Sequence, residues 1–286
     1  MFYGCSSLSN IKPLEKWDVS NSNNFSYMFS KCISLSDIKS FEKWNVSQCY
    51  NFSYMFSGCD KLSNIESLEK WIFSNEFELN TIPSGSDFNI KAINFHSMFS
   101  CCSSLKDIKP LEKWNVTNGN DFSEMFKECK SLSNIKALEN WDVSNCNNFS
   151  YMFYGCSSLS DIKSLGKWNV YNSNNFSYIF YGCNSLYDIK PLEYWNVSNC
   201  NNFSLMFYEC KLLSDIKPLE KWNVSNCNNF SYMFYGCNSL YDIKPLENWD
   251  VSKGKTFDHM FGMCKLSDIK PLKKWKISKS LLKNIK

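Results

Sequence analysis

The chain has 286 residues, a formal net charge of +3, fifteen cysteines, two histidines and no arginine. So even a charge balance leaves no electrostatic footprint for nucleic acid or an anionic membrane, and the side chain that reads phosphate and guanine bidentately is missing. No run of about 18 apolar residues offers a bilayer span, no secretory signal is visible, and no Walker or dinucleotide-binding glycine loop occurs.

The chain opens on Met1-Phe2, which aligns with Met28-Phe29 and Met233-Phe234 farther on. It therefore starts in mid-repeat and reads as a fragment, or a start at an internal methionine, lacking its N-terminal cap. The anchor phenylalanines Phe2, Phe29, Phe56, Phe99, Phe126, Phe153, Phe180, Phe207, Phe234 and Phe261 recur every 27 residues, except that Phe56 to Phe99 is 16 residues longer. Tryptophans keep the same register, each 15 residues after its phenylalanine up to Trp249 and 14 after it at Trp275. A fixed period in this range, with Leu, Ile and Cys at constant stations, signals a solenoid whose coils bury one another's apolar sides.

The unit is clearest from Cys210 to Cys237, CKLLSDIKPLEKWNVSNCNNFSYMFYGC. Phe230, Met233, Phe234 and Cys237 have the i, i+3, i+4, i+7 spacing of one helical face, which predicts a short helix over NNFSYMFYGC. Cys210, Leu213, Ile216, Leu219 and Trp222 are three apart, a spacing that suits neither a regular strand nor a long helix. A short strand is placed near SDIK, turning into a return segment. The fold class expected is therefore α/β, a leucine-rich-repeat solenoid of about ten coils, each with a short strand and a short helix, spanning residues 1–286 as one unit.

Two stretches depart from the pattern. EFELNTIPSGSDFNIK, residues 76–91, is inserted before the register returns, and its Pro83 and Gly85 predict a protruding loop or small hairpin. Residues 273–286, KKWKISKSLLKNIK, replace the next helix and are expected to cap the last coil.

The combination MFxxCxxLxxIxxLxxWxVSNxxNFSxMF resembles the BspA-type leucine-rich repeats of bacterial and protozoan surface proteins, in the variant with prominent Trp and Met-Phe. The resemblance covers the chain apart from the insert and the tail. It implies a leucine-rich-repeat ectodomain used in adhesion to host proteins or other cells.

Little in the repeat is left over for catalysis. Ten cysteines, from Cys5 to Cys264, occupy one column and are read as buried free thiols filling the core. Cys49, Cys146, Cys200 and Cys227 form a second column near a turn, read as more accessible, with Cys200 and Cys227 the best candidates for a disulfide. No CxxC occurs, and His96 and His259 sit at different stations, so no metal or cofactor site is expected and a Cys–His pair is disfavoured. Ten Asn-x-Ser/Thr sites arise from two stations and are read as turn residues that satisfy backbone groups.

The outward columns are the candidate surface. Asp161, Asp188, Asp215 and Asp242 alternate with Lys163, Lys190, Lys217 and Lys244 beside a buried isoleucine, forming adjacent acidic and basic ladders. These eight residues are the expected partner-binding site, with the insert as competitor. The expectation is a non-enzymatic recognition or adhesion module on the cell surface or secreted, binding a host or cell-surface protein without nucleic acid or membrane insertion. The alternative is an intracellular protein-interaction scaffold.

Overall fold

The computed structural model describes residues 1–73 and 92–286, so the insert at 76–91 lies outside the described residues. The described chain winds as a solenoid-like stack of 27-residue repeats, and the contacts that join one repeat to the next are made mainly where the sequence predicted a helix. NNFSYMFYGC is instead a run of overlapping tight turns. Within one repeat Met206 N–H donates to Phe203 O, Tyr208 N–H to Leu205 O and Cys210 N–H to Phe207 O. The intervening amides point along the stack, Phe203 N–H to Asn229 O, Leu205 N–H to Ser231 O, Phe207 N–H to Met233 O and Glu209 N–H to Tyr235 O, at 2.7 to 2.9 Å. Alternate amides thus close turns and bridge coils, and the buried backbone is satisfied without a helix.

This path requires left-handed residues at two fixed stations. Tyr151, Tyr178, Leu205 and Tyr232 have φ of 60°, 61°, 56° and 58°, and four residues later Gly155, Gly182 and Gly236 have φ of 70°, 67° and 72°. A positive φ at the third residue of a turn marks type II and stops an α-helix, for which φ is negative throughout. Glycine suits the second station for that reason, although Glu128 and Glu209 also hold it, with φ of 59° and 54°. The helical spacing of Phe230, Met233, Phe234 and Cys237 is real, but it comes from turns that send those four side chains inward. All four are fully buried.

The Asn at the start of this segment pairs in parallel from coil to coil, Asn148 with Asn175, Asn175 with Asn202 and Asn202 with Asn229. Its side-chain oxygen accepts from the amide two residues on, as Asn202 does from Ser204 at 3.0 Å. Between Ile93–Asn94 (β1) and Gly119–Asp121 (β2) the pairing widens into a two-stranded parallel sheet. Among the described residues the strand expected near SDIK is reduced to two isolated bridges, Asp37 with Asn64 and Asp107 with Asn134. After it comes the helical element that each repeat does have, a 3₁₀ turn such as Lys163–Lys167 or Lys190–Tyr194. The predicted helix is thus a run of turns, the predicted strand is reduced to bridges, and the helical element lies in the return segment. Proline at the start of most of these turns fits, since the first amides of a helix lack intrahelical partners.

The core is a set of columns. Phe180 stacks on Phe153 at 5.9 Å and on Phe207 at 5.8 Å. Trp195 is 3% exposed, lies 5.3 Å from Phe176, and donates its indole N–H to Leu165 O of the preceding coil at 2.8 Å. The same donation recurs at Trp168, Trp222 and Trp249. Tryptophan thus fills the core while supplying a carbonyl with a donor.

The main cysteine column does the same with less volume. Cys183 Sγ donates to Phe153 O at 3.2 Å and Cys210 Sγ to Phe180 O at 3.1 Å, and the contact repeats along the stack. Here a small side chain gives a second, weak donor to a carbonyl that already closes a tight turn in the preceding coil, as Phe153 O does for Cys156 N–H. All fifteen cysteines are free. The second column corrects the sequence reading, because Cys49, Cys146, Cys200 and Cys227 are all buried. Cys200 and Cys227 form no bridge; they approach the Asn202 and Asn229 carbonyls. Burial pushes Cys32 up to about 11 and Cys49, Cys146 and Cys227 up to about 12.

At the far end the tail takes the place of a further coil. His259 N–H donates to Asn284 O and Phe261 N–H to Ile285 O, so residues of the last turn segment find carbonyl partners in the tail. Ile285 is buried, and the short helix Lys279–Lys283 (α1) begins at Ser278, whose hydroxyl accepts from Leu281 N–H.

Two outcomes follow from this packing. Trp195→Ala removes a buried ring and a donor and is expected to cost about 3 to 5 kcal/mol, whereas Lys190→Ala on the surface should stay within about 0.5, as measured by urea unfolding. Comparable losses at the two sites would contradict the assignment of faces. The thiols set a pH dependence of definite sign. Their folded values lie above the unfolded one, so their stabilisation is complete below about pH 8.5 and is lost as pH rises toward 11 to 12. Each such buried thiol should remove about 1.4 kcal/mol per pH unit in that window. Unfolding midpoints compared at pH 7, 9 and 10 should fall progressively; a flat profile would show that the column is solvated.

Candidate functional site

Every repeat presents the same polar element before its 3₁₀ turn. Asp161, Asp188, Asp215 and Asp242 each accept, through one carboxylate oxygen, the backbone N–H of the lysine two residues on, Lys163, Lys190, Lys217 and Lys244, all at 2.8 Å. Asn10, Asn64 and Asn134 make the same bond at the equivalent station. Since Asp and Asn interchange there, the station needs a side-chain carbonyl oxygen more than a charge. The aspartates are therefore fixed by turn chemistry.

The lysines are freer. Lys163, Lys190, Lys217 and Lys244 are exposed, and Lys163 Nζ lies 3.7 Å from the Asp161 carboxylate with 79% of its side chain exposed. A second line of charge runs beside them, from the Glu of one 3₁₀ turn to the Lys of the next. It includes Glu15 with Lys43 at 2.9 Å, Glu69 with Lys113 at 2.6 Å and Glu139 with Lys167 at 2.8 Å. The hydrogen bond from that lysine holds the Glu15, Glu69 and Glu139 carboxyls below their usual range. Where the glutamate is replaced by Gly166, the partner lysine is replaced too, by Tyr194. Such exposed pairs contribute little to stability, and they leave a face of alternating, solvated charge.

That face is grooved. A depression of about 820 Å³ is lined by Lys39, Glu42, Asn64, Glu69, Asp107 and Lys109 among others. One of about 480 Å³ contains Asp161 and Lys163, and one of about 330 Å³ contains Asp242 and Lys244. The structure puts all eight expected residues on this face; Asp188, Lys190, Asp215 and Lys217 lie between the last two depressions.

His96 lies outside any helix and is half-buried: Nε2 is 2.7 Å from the Tyr54 hydroxyl and Nδ1 is 2.6 Å from Ser123 Oγ. Ser123 Oγ donates in turn to the Asp121 carboxylate at 2.5 Å. One neutral tautomer satisfies the chain, with Tyr54 donating to Nε2 and Nδ1–H donating to the serine. Since the serine proton is directed to Asp121 and Nε2 is already occupied, the group is arranged as a strut between coils and not as a base poised over a nucleophile. Among the described residues no cluster of three or more His, Cys, Asp or Glu could hold a metal ion. No helix among them is long and apolar enough to cross a membrane.

Sequence reasoning missed a second surface. Tyr151 and Tyr178, and in a parallel row Tyr154, Tyr181, Tyr208 and Tyr235, stack ring on ring along the turn segments at 4.2 to 4.8 Å. The signal was present as tyrosines spaced 27 residues apart, but the supposed helix hid which of them pointed out.

The sequence matches the family described as "Mycoplasma protein of unknown function, DUF285" over residues 1–93, 72–189 and 187–284. No functionally curated protein matches it. Among solved structures it is similar to a leucine-rich repeat protein from Bacteroides ovatus, with 17% identity over 84% of this chain and 67% of that one and a TM-score of 0.26. The likeness in path is loose, and the description of the fold rests on the repeat itself. Because the family's matches run through nearly the whole chain, the chain belongs to the DUF285 family.

Proposed function

We propose that the chain is a non-enzymatic recognition module that binds a protein partner along its Asp/Lys face, displayed at the cell surface or secreted, where the partner is a host or cell-surface protein. The observation that carries this reading is the succession of depressions along one face, each lined by lysines and carboxylates on rigid 3₁₀ turns. A solenoid offers such an extended repeated face, and its outward lysines can be substituted without disturbing the core. The resemblance of the repeat to BspA-type surface proteins supports display and adhesion.

One observation favours the second reading, an intracellular interaction scaffold. All fifteen cysteines are free and most are buried, which suits a reducing compartment. Fractionation of cells expressing the full-length gene separates the two, since surface labelling supports adhesion and protection from label supports the scaffold.

Reversing charge at Lys190, Lys217 and Lys244 together should leave the fold intact and weaken binding to host matrix proteins or cells by about tenfold or more, with a reduced salt dependence. Excising the insert at 76–91 should have the smaller effect. If the triple variant is folded and binds as the parent does, this face is not the binding face. Asp215→Asn should hold both fold and binding because it keeps the oxygen that caps the turn, whereas Asp215→Ala should cost about 1 kcal/mol.

A further inference from the structure

The tyrosine strip lies on the turn segments, apart from the charged face. In the second row Tyr154, Tyr181, Tyr208 and Tyr235 follow one another at 4.4, 4.4 and 4.8 Å with ring planes within 11°. In the first row Tyr151 and Tyr178 are 4.2 Å apart, then Leu205 takes the station, and Tyr232 resumes it. The rows touch within each coil, at 5.8 Å for Tyr151 and Tyr154 and 5.9 Å for Tyr178 and Tyr181. All seven rings are half-buried.

Stacking dictates what is left for a partner. The ring faces of the second row cover one another, and its ends are closed. Lys127 Nζ sits 5.1 Å from the Tyr151 centroid and 5.6 Å from that of Tyr154, and Tyr235 lies so close over Gly262 that a Cβ there would meet its ring at 2.5 Å. A sugar, which packs on open ring faces, finds none in this row. The exposed part is a strip of positive ring edges and of hydroxyls that interact along the row, Tyr181 with Tyr154 and Tyr208 with Tyr181, and keep the capacity to meet an outside acceptor. At Leu205 the shorter side chain notches the strip between Tyr178 and Tyr232, with Tyr181 and Tyr208 along its side.

A polyproline II segment meets these conditions. It has no internal hydrogen bonds, its carbonyls all point outward, and proline brings acceptors without donors. Its turn of three residues at about 3.1 Å each spans about 9 Å, which is two steps of this ladder, so prolines one turn apart would meet equivalent tyrosines. The local charge favours a basic flank. Glu124 and Glu128 are paired with Lys127 and Lys130, whereas Glu209, beside Tyr208, has no salt bridge among the described residues.

We propose that the strip formed by Tyr178, Tyr181, Leu205, Tyr208, Tyr232 and Tyr235 binds a proline-rich segment in the polyproline II conformation, with a proline ring in the Leu205 notch and a lysine or arginine near Glu209. The test uses the whole chain and a synthetic peptide of seven prolines between two terminal lysines, with a control in which alanine replaces every proline. Binding is followed by calorimetry and by NMR shifts of the tyrosine rings.

The proline peptide should bind and shift these rings, and the alanine peptide should bind about tenfold or more weakly, because it must first be ordered. Leu205→Tyr fills the notch while restoring the residue found at that station in neighbouring coils, all at positive φ, so the fold should hold and binding should fall about tenfold. Tyr208→Phe keeps the stack and removes one hydroxyl, and should weaken binding about threefold to tenfold. Glu209→Gln should reduce affinity for this peptide and leave that for the same seven prolines without the lysines unchanged. The proposal is overturned if the parent binds neither peptide or both equally, or if a folded Leu205→Tyr variant binds like the parent. Loss of binding on charge reversal at Lys190, Lys217 and Lys244, with the tyrosine rings undisturbed, would also overturn it, by placing the peptide on the other face.

Discussion

The rest of the structure depends on how one coil's backbone amides meet the next coil's carbonyls. In the turn segment, Phe203, Leu205, Phe207 and Glu209 send their N–H groups to the following coil, while Met206, Tyr208 and Cys210 use theirs to close turns. Such alternation leaves no buried amide idle, and it fixes the register at 27 residues, because a slip of one would exchange the two sets. The core columns are consequences. Once successive coils are in register, like side chains fall over like, and phenylalanines, tryptophans and cysteines each form a continuous line. Trp Nε1 and Cys Sγ then give second donors, from the next coil, to carbonyls that already close a turn, Leu165 O and Phe153 O.

The existence of the stack and the inward residues were legible in the sequence, since they rest on periodicity alone. The conformation of each coil was not. Phe230, Met233, Phe234 and Cys237 satisfy a helical template, yet the positive φ at Tyr232 and Gly236 that excludes a helix has no sequence signature at the tyrosine. The three-residue steps from Cys210 to Trp222 held the better clue. Leu213 N–H closes on Cys210 O, Leu219 on Ile216 and Trp222 on Leu219, so a spacing that suits neither strand nor α-helix is the period of tight turns and 3₁₀ geometry. Cys200 and Cys227 were misjudged for a related reason: proximity to a turn suggested exposure, but both side chains are fully buried.

Function has to be sought in what the ladder does not consume. The aspartates of the charged face are committed to capping turns, which Asn performs equally at Asn64 and Asn134, so their repetition carries less functional weight than the sequence alone assigned to it. The exposed lysines of the same face carry no such duty. The tyrosines occupy an intermediate position, since they stack with their neighbours and still present hydroxyl edges to solvent. A face on which turn chemistry fixes one column and frees the next is well suited to partner exchange, because substitutions in the free column leave the coil unchanged.

The central claim is that NNFSYMFYGC links coils through alternate amides and is not helical. Scalar couplings across hydrogen bonds, measured by NMR on isotope-labelled protein, test it directly. The structure predicts couplings from the Phe203 amide nitrogen to the Asn229 carbonyl carbon, and from Leu205 to Ser231 and Phe207 to Met233. Couplings from these amides to carbonyls four residues earlier in their own coil, together with helical Cα shifts over residues 203–210, would contradict it.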